Sequence, residues 1–280
     1  MTYKMVVLDL DGTLLNDDKE ISPLNIKALK YLRKLHIEVV VATGRRYRFA
    51  KSLFENIGFP LTILCSSGTM VRNTADDIKI MSTCLETDLF HDIVRTGRRY
   101  SLRPLLHVDR SQEGYDFLLE LEKDAPCYKS YLSGNIKEYL VVPDFTEYSE
   151  GGVLLMCFMG EEDVLRNFQA RIREKHGSML HCHILTTLKR IGPVLEIMNP
   201  LGTKWNALVN YARDLAISPG EIVAMGDDGN DIEMIKNSGL GIAMKNATDA
   251  VKSEARAITL YSNNEDGVAR ALSGVFNIDL

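Results

Sequence analysis

The chain has 280 residues, 45% of them hydrophobic, which is enough for one large domain or two medium ones with a real core. Its formal net charge is −5 and no basic block stands out, which argues against a nucleic-acid partner. No apolar run reaches membrane-spanning length, and the five cysteines lack C-x-x-C spacing, so we expect a cytoplasmic protein with reduced thiols and no membrane partner.

The first 65 residues alternate between strand and helix patterns. Continuous apolar and β-branched runs predict buried strands at 5–8, 39–41 and 61–65. One helix is predicted to begin at Ser22-Pro23, with the serine as its cap, and a second one to run through 48–56. Strands that alternate with helices through short links predict a parallel sheet.

The middle of the chain has longer segments and strands that stand apart. Strands are predicted at 102–108, 152–159 and 179–185. Between the last two lies an amphipathic helix with one apolar face, formed by Val164, Phe168 and Ile172. This pattern differs from the alternation before it and predicts a separate α+β domain.

The last 80 residues return to alternating helices and strands. The predicted elements are a helix over 203–215, a strand over 221–225, a helix over 231–237, a strand over 241–244, a helix over 249–255, a strand over 257–260 and a helix from Asp266. We therefore predict an α/β fold with a Rossmann-like parallel-sheet core, formed by 1–84 and 189–280. An α+β domain is inserted over 85–188, with chain crossings near 82–85 and 187–192.

Two carboxylates, Asp9 and Asp11, follow the first buried strand, and Gly12 permits a sharp turn directly after them. The spacing of two points both side chains to one side, at the carboxyl end of a parallel strand, where ligands bind in such sheets. A buried acid pair needs a shared cation or proton. The alternatives are a solvated acidic turn and a calcium loop, and the second fails because Leu14 occupies the position that requires glycine.

Thr43-Gly44 follows the second predicted strand. A hydroxyl and a free backbone N–H at a strand end suit a phosphoryl oxygen. The alternative is that Thr43 only caps the helix that begins near Arg45.

Lys204 lies in the first turn of a predicted helix, where the helix dipole favours anions. This placement is explained if the lysine and the helix terminus face the same anion. The alternative is a solvated surface lysine.

A third acidic motif follows the strand over 221–225. Asp227 lies at the tip of that strand and is placed to share a metal with Asp9, whereas Asp231 opens the next helix, as a cap or as part of the metal site. The motif is not a calcium loop, because Ser238 stands where a bidentate Glu is required.

These motifs together resemble the haloacid dehalogenase superfamily. Asp9-Leu10-Asp11-Gly12-Thr13 resembles the D-x-D-G-T signature of its phosphatase branch, and Gly226–Asp231 resembles the G-D-x-x-x-D motif in the N-D form of Cof-type members. Ala243–Ala247 is also similar to the Cof-type pattern. The chain departs from the family at Trp205, where glycine is frequent, and at Ser66-Ser67, where Asn-Gly is common.

The resemblance implies a phosphatase that depends on Mg²⁺, in which Asp9 is the nucleophile and Asp11 the general acid and base. It assigns the metal to Asp9, Asp11 (through its carbonyl), Asp227 and Asp231, and phosphate binding to Leu10, Thr43, Gly44, Lys204 and Asn230. The insertion becomes a large Cof-type cap that closes over the substrate and selects the leaving group.

The implied reaction is hydrolysis of a phosphate monoester of a small metabolite through a phospho-aspartate on Asp9. Sugar phosphates, nucleotides and phosphorylated cofactors all remain open as substrates, as does the oligomeric state. The alternatives are a phosphomutase, a catalytically silent phosphate-binding protein and a signalling receiver domain, although a receiver carries its acid on a middle strand and 61–66 has none. His181 and His183 are either a ligand pair or part of the core of the insertion.

Overall fold

The computed structural model describes residues 3–122, 124–129, 131–132, 137–186 and 191–280. The chain divides into two compact units, the first comprising Met1–Met81 and Lys204–Leu280 and the second Ser82–Thr203. In the described residues, no helix combines the length and the apolar character needed to cross a membrane.

The structure contains both strands and helices throughout. The strands are β1 (Met5–Leu8), β2 (Glu38–Ala42), β3 (Thr62–Cys65), β4 (Met70–Asn73), β5 (Lys79–Ser82), β6 (Pro104–Arg110), β7 (Tyr115–Leu119), β8 (Tyr139–Val141), β9 (Val153–Met159), β10 (His181–Leu185), β11 (Val194–Met198), β12 (Ile222–Gly226), β13 (Leu240–Ala243) and β14 (Ala257–Ile258). The helices are α1 (Pro23–Lys34), α2 (Tyr47–Ser52), α3 (Thr87–Arg99), α4 (Pro126–Lys129), α5 (Glu162–His176), α6 (Lys204–Asp214), α7 (Ile232–Asn237), α8 (Asp249–Glu254) and α9 (Gly267–Phe276).

The first unit is built on an eight-stranded sheet in the order β14-β13-β12-β1-β2-β3-β4-β5. The strands from β14 to β3 pair in parallel, and β4 runs antiparallel to β3. Every residue of β1 is buried, as expected for the centre of a sheet that is covered on both faces. Because β1, β2 and β12 are parallel neighbours, their carboxyl ends lie at the same edge of the sheet.

Helix α1 shows how local sequence builds this unit. Ser22 caps it by accepting a hydrogen bond from the Asn25 N–H, and Pro23 occupies its first position. Its apolar face buries Ala28, Leu29 and Leu32.

The second unit contains a six-stranded sheet in the order β10-β11-β9-β6-β7-β8, antiparallel except for the parallel β7–β8 pair. Helices α3 and α5 contribute Phe90 and Phe168 to its buried core. The Phe168 ring packs edge-on against Phe158 of β9, with 4.9 Å between centroids. In β10 and β11, the imidazole of His183 lies 3.0 Å from the Glu196 carboxylate.

The predicted fold class, a Rossmann-like α/β core with an inserted α+β unit, is confirmed. The boundary at 188/189 differs from the structure, because β11 lies between β10 and β9 and the second unit extends to Thr203. The predicted crossing at 187–192 lies in part outside the described residues. In α5 the buried residues are Leu165, Phe168 and Ile172, whereas Val164 is only partly buried.

Two further differences concern single elements and the cysteines. The helix predicted over 48–56 ends at Ser52. All five cysteines are free thiols, and Cys65, Cys157 and Cys182 are buried.

Candidate active site

Asp9 directly follows β1 and is 6% exposed. Its N–H donates to the carbonyl of Met225 in β12, which continues the pairing of the two strands by one residue. The ammonium of Lys204 donates to Asp9 Oδ1 at 2.6 Å and to Asp231 Oδ1 at 2.7 Å. At 2% exposure, Lys204 is a buried residue, so the alternative of a solvated lysine is wrong.

Asp9, Asp227 and Asp231 form a buried cluster in which one oxygen from each residue lies within 4.8 Å of the others. Burial raises the pKa of Asp9, and the Asp231 carboxylate raises it further, against the opposing effect of Lys204. Burial, followed by the charge of Asp9, also raises the pKa of Asp227. For Lys204 burial acts to lower the pKa, but the two carboxylates that it contacts outweigh burial and raise it.

The composition of this cluster fits a divalent cation. Among the described residues, the cation in contact with these acids is the Lys204 ammonium. When all three acids are ionised, it leaves two negative charges uncompensated in a buried place, which is costly without a further positive charge. Carboxylate oxygens are hard ligands of the kind that Mg²⁺ prefers.

Gly12 and Thr13 join the loop after β1 to Asp227. Gly12 has a φ of +84°, and a Cβ at this position would lie 2.2 Å from Asp227 Oδ2, so only glycine fits. The Thr13 hydroxyl donates to Asp227 Oδ1 at 2.8 Å. The loop after β1 therefore fixes the orientation of the acid that follows β12.

Asp231 is bound to its own loop as well as to Lys204. Its Oδ2 accepts from the N–H groups of Asp227 and Asp228 at 3.0 and 3.2 Å, and its Oδ1 accepts from Lys204. Both oxygens are thus engaged by protein donors, which favours a role in holding the loop and the lysine. Its predicted contact with metal stays a prediction.

Asp11 lies in a different environment from Asp9. Arg45 donates to both of its oxygens, from Nε to Oδ2 and from Nη2 to Oδ1, each at 2.7 Å, and Lys19 donates to Oδ1 at 2.7 Å. Burial acts to raise the pKa of Asp11, but the bonds from Arg45 and Lys19 outweigh burial and lower the pKa to about 2. Asp11 is therefore a carboxylate in this conformation.

The predicted phosphate-binding residues lie around this edge of the sheet. The buried Thr43 hydroxyl accepts from the Arg45 N–H at 3.1 Å, so it caps the turn after β2, and Gly44 lies within that turn. Asn230 Oδ1 accepts from Lys204 at 3.3 Å. The Leu10 carbonyl accepts from the N–H of Thr13, and its side chain is buried in the core.

The sequence leaves Arg45 open between a contact for an anionic substrate and a solvated residue, and it gives no role to Lys19 or Thr13. All three contact the acids. Arg45 and Thr13 lie next to residues that the sequence assigns to the site. This proximity is a signal that could have identified them. Lys19 lies in an ordinary polar segment before α1, and nothing in its surroundings distinguishes it from a solvated lysine.

The chain is similar to known proteins along most of its length. A family model described as haloacid dehalogenase-like hydrolase matches residues 6–272. A 5-amino-6-(5-phospho-D-ribitylamino)uracil phosphatase of Bacillus subtilis is 29% identical over 279 residues, covering 98% of each chain. An HMP-PP phosphatase of Serratia proteamaculans is 28% identical over 254 residues, covering 90% of this chain and 87% of that protein. A solved haloacid dehalogenase-like hydrolase from Bacteroides thetaiotaomicron superposes with a TM-score of 0.78 at 26% identity, covering 98% of this chain and 100% of the other.

Proposed function

This chain belongs to the haloacid dehalogenase-like hydrolase family, and we propose that it is a Mg²⁺-dependent phosphatase that works through a phospho-aspartate on Asp9. The class of enzyme, a phosphatase, is supported by the family and by the names of its relatives. The metal requirement, the reaction path and the substrate are the parts that we propose.

The observation that carries the proposal is the charge of the buried cluster. Three carboxylates converge there against one ammonium, and two of those carboxylates, Asp9 and Asp227, have raised pKa values. Such a group is stable in its ionised form only with additional positive charge. We assign Asp9, Asp227 and the Asp11 carbonyl as the residues that would hold Mg²⁺, which would neutralise phosphoryl oxygens when bound.

The chain's own residues account for the two chemical steps. An oxygen of Asp9 attacks phosphorus, an Asp9–phosphorus bond forms, and the bond to the leaving oxygen breaks. Asp11 gives a proton to that oxygen and then takes one from the water that attacks the phospho-aspartate, which releases phosphate and restores Asp9. Lys204, the Thr43 hydroxyl, the Asn230 amide and the backbone of Leu10 and Gly44 are assigned to the phosphoryl oxygens.

The protonation state of Asp11 matters for the order of these steps. As a carboxylate it is ready to accept a proton from water, which is the second half of its role. For the first half it must gain a proton when substrate is bound, and this requires its bonds with Arg45 and Lys19 to weaken. We expect the substrate's own anionic groups to compete for these two cations.

The substrate is assigned to the class of small phosphorylated metabolites: sugar phosphates, nucleotides and phosphorylated cofactors. The name of the Bacillus subtilis relative contains a phosphorylated uracil derivative, which favours a compound of similar size. We assign selection among metabolites to the second unit. A phosphomutase would use the same phospho-aspartate but transfer the phosphoryl group, so release of inorganic phosphate separates the two activities. Cytoplasmic location and the absence of a nucleic-acid partner stay predictions.

The test is a screen of phosphorylated metabolites for phosphate release, with and without chelator. We expect activity that chelator abolishes and Mg²⁺ restores, and that Ca²⁺ restores poorly because of its larger and looser coordination. Full activity in chelator would remove the proposed metal role of Asp227.

The nucleophile is tested by Asp9→Asn, with Asp18→Asn in the exposed loop nearby as the matched control. We expect Asp9→Asn to lower kcat by at least ~10³-fold and Asp18→Asn to leave it unchanged. Asp11→Asn should still allow transfer to Asp9 and stall hydrolysis, so mass spectrometry should detect phosphorylated protein. Near-parental turnover in Asp9→Asn rules out the mechanism.

A further inference from the structure

The segment after β13, Met244–Thr248, contacts both acidic loops of the first unit. Its Met244 N–H donates to the Gly226 carbonyl and its Thr248 N–H donates to the Asp227 carbonyl, each at 3.0 Å. The segment is therefore attached to the backbone of the loop that carries Asp227. The segment overlaps Ala243–Ala247, a stretch that resembles a family pattern and has no role in the reaction described above.

Asn246 extends from this segment to the other acidic loop. Its side-chain Nδ2 donates to the Gly12 carbonyl at 2.7 Å, and its Oδ1 accepts from the Asn263 N–H at 3.1 Å. Both ends of the amide are used, so its orientation is fixed by its partners. Although Asn246 is exposed, its side chain links the Gly12 carbonyl to the Asn263 N–H.

The peptide that Asn246 holds is the one that orients Asp227. Gly12 packs so closely on the Asp227 carboxylate that no side chain fits between them. The next residue, Thr13, donates its hydroxyl to Asp227 Oδ1 at 2.8 Å. A shift of the Gly12 carbonyl therefore moves both contacts at once.

Other asparagines hold the loop after β1 at points further from the acids. Asn25 donates to the Leu14 carbonyl at 3.3 Å and Asn263 to the Leu15 carbonyl at 2.9 Å. Asn264 accepts from the Asp17 N–H at 2.9 Å. Asn246 holds the end of this loop next to Asp11, and Asn264 holds the far end. The two asparagines therefore provide a matched comparison.

We propose that Asn246 is a positioning residue for the divalent cation, acting through the Gly12–Thr13 peptide on Asp227. This inference rests on the proposed function, because it presumes that Asp9 and Asp227 hold a metal. Residues that orient metal ligands without contacting the metal typically change its affinity by about 10- to 100-fold when they are substituted. We expect Asn246→Ala to weaken Mg²⁺ binding by about 10-fold or more on that basis.

The experiment is calorimetric titration of the full chain with Mg²⁺ alone, without substrate. Asn246→Ala should bind Mg²⁺ about 10-fold or more weakly than the parent, and Asn264→Ala should bind it as the parent does. Asn246→Asp keeps the size of the side chain and its acceptor for Asn263 but loses the donor to Gly12. Because its added negative charge alone would strengthen cation binding, weaker binding in this variant is attributed to the contact with the Gly12 carbonyl, which changes from a hydrogen bond to a repulsion.

Thermal unfolding in chelator separates positioning from general stability. We expect the Tm of Asn246→Asp in chelator to match that of Asn264→Ala, with the difference between them confined to Mg²⁺ affinity. Parental affinity in both Asn246 variants, or an equal loss in Asn264→Ala, overturns the inference. A parental chain that binds no Mg²⁺ at all overturns the proposed metal site together with it.

Discussion

At the scale of single residues, Gly12 lies where the two acidic loops touch. A methyl group added there would lie 2.2 Å from Asp227 Oδ2, on a backbone with φ of +84°. We expect Gly12→Ala to displace Asp227, to weaken Mg²⁺ binding by at least about 10-fold and to cost about 1–3 kcal/mol of stability. Calorimetry and chemical unfolding measure the two effects.

Gly229→Ala is the control for this substitution, because nothing lies within 4 Å of the added methyl group. It belongs to the other acidic loop, and its variant should bind Mg²⁺ like the parent. Equal affinities in the two variants would show that the close approach of Gly12 to Asp227 has no bearing on the metal.

The acids of the cluster also predict how stability depends on pH. Because the pKa values of Asp9 and Asp227 are raised above the ordinary 3.8, the folded chain binds more protons than the unfolded chain above that pH. In chelator, the free energy of unfolding should therefore fall as pH rises from about 5 to 8, by up to about 1.4 kcal/mol per pH unit for each acid. Asp11, whose pKa is lowered to about 2, contributes no slope in this window.

Asp227→Asn tests the pH prediction, since it removes one of the two titrating groups. Its stability in chelator should fall less steeply with pH than that of the parent, and saturating Mg²⁺ should flatten the parental curve, because a bound cation keeps both acids ionised. Identical slopes for the parent and Asp227→Asn in chelator would mean that the raised pKa is not a property of the folded chain.

The sequence was sufficient to single out Asp9, Lys204 and Asp227, because each follows a buried strand or opens a helix at the same edge of the sheet. It did not predict that Arg45 and Lys19 both bind Asp11, since their approach depends on loop conformation. For the same reason, the low pKa of Asp11 was not predicted, because residue type alone does not specify which cations lie beside an acid.

At the scale of elements, the sequence predicts strands that consist of a continuous apolar run. It does not predict strands that are recognised only by their pairing with other strands. β1 and β12 are buried on both faces, and their apolar runs identify them. β11 is apolar except for Glu196 at its centre, and its place between β10 and β9 is decided by its pairing with those two strands. β4 is short and half polar, and only its antiparallel pairing with β3 defines it as a strand.

Helix α5 provides a prediction at this scale. Phe168 is completely buried and packs against Phe158 and Tyr100, with centroid distances of 4.9 and 5.5 Å. We expect Phe168→Ala to destabilise the second unit by roughly 3–5 kcal/mol, because it leaves a cavity in the core. Arg171→Ala, on the exposed side of the same helix, should change stability by no more than about 0.5 kcal/mol.

The measurement is chemical unfolding followed by hydrogen exchange to locate the loss. Exchange should accelerate in the second unit, and calorimetric Mg²⁺ affinity should stay at the parental value, because the acids lie in the first unit. A Phe168→Ala variant as stable as Arg171→Ala would exclude the described packing of this core.

At the scale of the whole molecule, the candidate site is assembled from both ends of the chain within one unit. Lys204 is 195 residues and Asp231 is 222 residues beyond Asp9 in the chain. Lys204 nevertheless contacts both Asp9 and Asp231. This assembly depends on the pairing of β1 with β12. That pairing brings residues from before and after the insertion into one sheet. The site therefore requires the first unit to fold as one body, whereas the second unit contributes none of the acids of the cluster.

Two deletions test how the chain divides into units. One replaces 83–203 by a Gly/Ser linker, which removes the second unit except Ser82, the last residue of β5. The other replaces 85–188, following the boundaries predicted from sequence. The second deletion retains β11 but removes β9 and β10, so an apolar strand loses both of its neighbours. We expect it to aggregate, and the first deletion to stay monodisperse in chromatography and to bind Mg²⁺ with near-parental affinity.

Activity extends the same comparison to the role of the second unit. The 83–203 deletion should hydrolyse a small activated aryl phosphate slowly, because such a leaving group asks little of a binding surface, and should lose discrimination among metabolites. If this shortened chain is folded and ranks metabolites as the full chain does, selection resides in the loops of the first unit. Aggregation of the 83–203 deletion alongside a monodisperse 85–188 deletion would show that residues 189–203 stabilise the first unit, against the division of the fold described above.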